Sequence, residues 1–80
     1  MLEVILKGEN PSAVFRRLVE ADSSWTNVRL AELLHDEFTE LSSEAGQLVW
    51  HWKGPGKSQG LSDENLDAVL LELLKEANYL

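Results

Sequence analysis

The sequence predicts an all-α fold, a compact domain of three or four short helices. Three features point to it. Apolar residues recur at helical spacing in four separate stretches. Each stretch opens on a residue suited to a helix start. The connections are short, apart from one glycine-rich loop, which favours neighbours in sequence as neighbours in space.

Residues 2–6 stay open between two readings. Leu2, Val4 and Leu6 alternate as in a short N-terminal strand, whereas Leu2, Ile5 and Leu6 share a helical face. The β-branched Val4-Ile5 pair leans towards strand, and Gly8 ends either element. A strand would need a cryptic second strand or an edge supplied across a dimer. A helix needs neither.

The first clear helix begins at Asn10-Pro11, where Asn10 can cap and Pro11 suits the first turn. Val14, Leu18 and Ala21, widened by Phe15 and Val19, form its stripe; Arg16 and Arg17 fall outside. Asp22-Ser23-Ser24 reads as a stop. The second helix is expected to run from Thr26 or Asn27 to Phe38, with Leu30, Leu33, Leu34 and Phe38 sharing a face. Its outer face carries Glu32, Asp36 and Glu37, acids that oppose the dipole near a C-terminus, so the helix is expected to fray before Thr39.

The third helix starts at Ser42 or Ser43 and is expected to end near Lys53, before Gly54-Pro55. Ala45, Leu48, Val49 and Trp52 lie on one side of it. The fourth has the strongest start signal: Leu61 and Leu66 staple a Ser62 cap, with Asp63 and Glu64 in the first turn. Leu66, Val69, Leu70, Leu73, Leu74 and Ala77 form its apolar face, and Tyr79-Leu80 is expected to fold back.

Eighty residues suffice for one small domain, 1–80. With 44% apolar residues and no cysteine, the chain is expected to fold around an apolar core without disulfides or thiolate zinc sites, which favours a reducing compartment. Residues 1–7 make a poor signal peptide, and no stretch approaches the roughly 18 apolar residues of a membrane span. A cytoplasmic, membrane-free location is the expectation.

The net charge of −7 is unevenly spread. Glu32, Asp36, Glu37, Glu40 and Glu44 succeed one another without a Lys or Arg; a second acidic run follows Ser62, and Lys53 and Lys57 stand between the two. Such a field repels phosphate and attracts basic proteins, so nucleic acid is not an expected partner. A helix-turn-helix reading of the second and third helices fails on the same charge.

Motifs for chemistry fail on specific residues. Gly56-Lys57-Ser58 resembles the end of a phosphate-binding loop, but His51 stands where the first glycine belongs, and a helix precedes the segment. Asp63, Asn65 and Asp67 alternate as in a calcium loop, but Ala68 and Leu74 occupy the glycine and bidentate positions. Neither His35 nor His51 has a partner at metal-ligand spacing, and no nucleophile elbow occurs. The Asp-Ser-Leu of a phosphopantetheine carrier is absent. No catalytic, cofactor or metal residue is proposed, and no enzyme is expected.

The remaining candidates are protein-contact residues. Trp50 sits off the stripe of its helix, four residues after Gly46, which permits close backbone approach on that side. Either a second element, residues 2–6 or Tyr79-Leu80, covers Trp50, or the ring is an exposed anchor. Trp25 either staples towards Leu30 or stands exposed. With them go Glu32, Asp36, Glu37 and Glu40 on the acidic segment and Lys57 on the glycine-rich loop. The expected function is a non-catalytic acidic interaction module for a partner with a basic surface. The alternatives are an acidic inhibitor, such as an immunity protein or antitoxin acting on a basic nuclease, and a small structural homodimer subunit.

Overall fold

The computed structural model describes residues 1–80 and contains four helices and no sheet: α1 Pro11–Ala21, α2 Asn27–Glu37, α3 Ser43–Trp50 and α4 Asp63–Glu76. The all-α expectation holds, with four helices packed around one apolar core. Thr26 caps α2 by accepting from the Arg29 amide at 3.2 Å, and Ser62 caps α4 by accepting from Asn65 at 3.1 Å. Asn10 and Ser42 hold the cap positions of α1 and α3 without a side-chain bond. At α1 a neighbouring helix does the work instead. Asp67 of α4 accepts the Ser12 amide at 2.8 Å and the Ser12 hydroxyl at 2.7 Å, satisfying a first-turn donor from across the core.

Residues Glu3–Lys7 form a 3-10 turn, so the strand reading of 2–6 is not realised. Leu2 and Ile5 are buried, while Leu6 points outward. Glu37 pins this segment to the end of α2: its carboxylate accepts the Leu2 amide at 2.7 Å. The same bond gives that acid a partner at the unfavourable end of α2, where the helix indeed stops before Thr39. The edge that motivated strand pairing across a dimer is absent.

The third helix ends at Trp50, three residues earlier than the sequence suggests. The chain then turns so that Lys53 donates to the Leu61 carbonyl at 2.7 Å and Leu61 donates to that of His51 at 2.6 Å. These bonds form a lone parallel bridge between Trp52 and Leu61 that closes the glycine-rich loop at its base. Trp52 is fully buried and tilts against Phe15, with ring centroids 5.7 Å apart.

Around Trp52 the core gathers Leu2, Ile5, Phe15, Leu30, Leu34, Val49, Leu66, Leu70 and Leu74. Tyr79 folds back as expected. Its ring meets Phe38 edge-on at 4.9 Å, and its hydroxyl accepts the Glu40 amide at 2.9 Å. Leu80 stays exposed, and so does Val69, which the α4 stripe had included. The core flank of α4 meets α1 and α3, and nothing covers the edge that carries Val69.

Candidate interaction groove

α2 and α3 form an antiparallel hairpin. Asn27, at the start of α2, donates to the carbonyls of Trp50 (3.2 Å) and Trp52 (2.9 Å), while His35, near its end, reaches the Ser42 carbonyl at the start of α3. One flank of this hairpin is packed on the core. The other bounds an open groove of about 520 Å³. Val28, Glu32 and Asp36 line its α2 wall; Ser43, Gln47 and Trp50 line its α3 wall; Ala31, His35, Leu41 and Gly46 complete the lining.

His35 shapes the lining. Its Nε2 lies 2.9 Å from the Ser42 carbonyl and its Nδ1 3.3 Å from that of Ala31. The ring lies against Gly46, where a Cβ would come within 2.8 Å of Cε1. The close approach that Gly46 allows is therefore made by an imidazole, not by a backbone. Both ring nitrogens face main-chain oxygens, so neither addresses Ser43, although Ser43, His35 and Asp36 line one groove.

Trp50 is 52% exposed and Val28 53%, and both line this groove. Neither element that could have covered the outer side of Trp50 does so: the first segment is held at Glu37, and Tyr79 packs on Phe38. Of the two readings of Trp50, the exposed one is realised. Trp25 is half-buried, with the Arg29 guanidinium 4.5 Å over its ring, and Arg29 is anchored by the Ser24 carbonyl at 3.0 Å. It borders a smaller depression of about 180 Å³ that shares Glu32 and Asp36 with the groove. Those two acids thus form a ridge between two partly apolar hollows.

The structure brings Trp50, Trp25, Glu32 and Asp36 together and leaves the other candidates elsewhere. Glu37 is engaged by the Leu2 amide. Glu40 lies beyond the groove, its amide bound to Tyr79. Lys57 sits with Lys53 and Arg16 around a separate polar hollow. Arg16 itself is engaged in a bidentate bond with Asp63, at 2.8 and 2.7 Å. The hydrogen bonds from Arg16 hold the Asp63 carboxyl below the usual carboxylate range against the opposing effect of partial burial, and the Trp52 indole N–H assists.

Val28, Gln47 and the lining role of His35 were not singled out in the sequence. Val28 precedes Glu32 by one turn, and that spacing is the one signal that ties it to the acidic ridge. No three His, Asp or Glu side chains converge to hold a metal ion, and no helix is long and apolar enough to cross a membrane. The chain matches no protein-family model, no curated protein and no solved structure.

Proposed function

We propose that this chain is a non-catalytic protein-interaction module whose α2–α3 groove receives a basic partner. The observation that carries the reading is the half-exposed Trp50 in a groove that also holds Glu32 and Asp36. Tryptophan combines a large apolar area with few rotatable bonds and is enriched among interface anchors. The acids add steering and selectivity, because neither Glu32 nor Asp36 is held in an ion pair, although Arg29 lines the adjoining depression with them. Both ring nitrogens of His35 point at main-chain oxygens and not at another side chain of the groove, which favours binding over catalysis as its use.

Affinity capture from the source cell tests the reading, with the intact chain as bait and Trp50→Ala and Glu32→Lys/Asp36→Lys as controls. The expected result is a partner with a basic surface that purified wild type retains and both variants lose, with association slowing as salt rises. A partner retained equally by all three baits would overturn the assignment of the groove.

A further inference from the structure

Resting on that reading, we infer that the groove takes about two turns of an amphipathic helix whose basic residues, one turn apart, face Glu32 and Asp36. The groove follows a helical hairpin, and its α2 wall runs from Val28 to Asp36, about 12 Å at 1.5 Å per residue. The two carboxylates are four residues apart and share one side of α2, with Cβ atoms about 5–6 Å apart. Bases separated by one turn of a partner helix meet both at once. An apolar residue between them falls towards Ala31, Leu41 and the Trp50 ring.

An extended segment fits less well for a reason of hydrogen bonding. Between its ends the walls of this groove are helices whose main-chain groups are paired along their own axes; the first-turn amides of Val28 and Ser43 are open, at the two ends only, and His35 faces main-chain oxygens with both ring nitrogens. An extended peptide would lay unpaired N–H and C=O groups on this surface, whereas a helix satisfies its own. The spacing of the acids alone does not distinguish the two, since alternate residues of a strand lie about 6.6 Å apart. The absence of main-chain partners between the open first-turn amides at its two ends does, since a strand needs partners along its whole length.

The test uses two synthetic 14-residue peptides of equal composition with arginines at positions i and i+4 around a leucine. One is held helical by a lactam bridge on its far side; the other is broken by moving a proline from the terminus to the centre. Each is titrated into the intact protein while the Trp50 indole N–H and the α2 and α3 amides are followed by NMR. The helical peptide is expected to shift Trp50 and to bind at least tenfold more tightly than the broken one. Glu32→Gln/Asp36→Asn is expected to remove most of that difference. Equal or tighter binding of the broken peptide would overturn the helical occupant while leaving the groove as a contact surface. If neither peptide moved Trp50, the inference would fall, and the wider reading would rest on the capture experiment alone.

Discussion

Arg16 grips both carboxylate oxygens of Asp63 and so ties α1 to the first turn of α4, 47 residues away. The same carboxylate accepts the Trp52 indole N–H at 2.9 Å, and the guanidinium lies 5.2 Å from the Trp52 ring. Three elements therefore meet at one acid. Both partners of the ion pair are 38% exposed, so the pair itself contributes only about 0–1 kcal/mol. The larger contribution comes from the buried indole, whose donor would lose its partner at a cost of about 1–3 kcal/mol. Asp63→Ala is expected to cost about 2–3 kcal/mol in urea denaturation. Asp63→Asn, which keeps an oxygen for Trp52, is expected to cost about 1 kcal/mol.

The same acid sets part of the response to pH. Its carboxyl is depressed in the folded chain, chiefly by Arg16. Its contribution is therefore complete above the unfolded value of about 3.9 and is lost as pH falls from there through the folded value. Stability measured by urea midpoints should decline below about pH 4, and Asp63→Asn should flatten that decline. A residual slope is expected in the variant, because Asp22, bonded by the Ser24 amide at 3.0 Å, is depressed too. An unchanged acid limb in Asp63→Asn would remove Asp63 from this role.

Trp50 and Trp52 are close in sequence and opposite in consequence. Trp52 is fully buried against Phe15. Its replacement by alanine costs about 3–5 kcal/mol, a large part of the roughly 4–12 kcal/mol available to a domain of this length. Trp52→Ala is expected to lose about 3–5 kcal/mol in urea denaturation followed by circular dichroism, a shift of the midpoint far larger than that of any surface change. Trp50→Ala should melt within about 1 kcal/mol of wild type, since half its ring already meets water. A large loss of stability at Trp50 would make that ring a structural residue and weaken the groove reading.

The four helices were legible because their signals are local. Pro11, Thr26, Ser62 and the apolar repeats each act within a few residues. What was not legible depended on distant partners. The alternation of Leu2, Val4 and Leu6 gave way to joint burial of Leu2 and Ile5 on a turn that Glu37 pins from α2, and the cap expected of Asn10 was replaced by Asp67. The wheel placed Trp52 inside for the wrong local reason: the helix has ended by then, and the bridge to Leu61 turns the ring inward. For the groove, Trp50 and the acids were visible as residue types off the apolar stripe. That Glu32 and Asp36 share its wall follows from their four-residue spacing on α2, whereas Glu37 lies about 100° round the helix, where Leu2 engages it, and Glu40 lies past the helix end.

The loop 54–60 offers a matched pair of glycine tests. Gly60 has φ +138°, and a Cβ there would stand 2.6 Å from the His51 carbonyl oxygen and 3.0 Å from the Lys53 nitrogen. Both belong to the backbone of the Trp52–Leu61 bridge and have little room to yield. Gly56 also has a positive φ, +81°, but faces open space. Gly56→Ala is expected to cost about 1–2 kcal/mol from conformation alone. Gly60→Ala should cost clearly more and expose Trp52, seen as a red shift of its fluorescence. Equal costs at the two positions would mean the bridge is not what holds the loop.

Gly46→Ala sets two effects of similar size against each other. Alanine in a helix interior gains about 1 kcal/mol over glycine. The new methyl, however, would lie 2.8 Å from His35 Cε1, a ring held by its contact with the Ser42 carbonyl at 2.9 Å. A side-chain ring yields more readily than a main chain, so His35 is expected to swing out and forfeit a hydrogen bond of about 0.5–1.5 kcal/mol. The two terms nearly cancel, and the melting temperature should stay within about 5 °C of wild type. The groove that His35 lines offers open space beside the ring, and the displaced imidazole is expected to enter it. The variant should therefore keep its fold and bind the helical arginine peptide at least tenfold more weakly. Undiminished binding at unchanged stability would show that the ring had found room elsewhere and that His35 is not what shapes the docking surface.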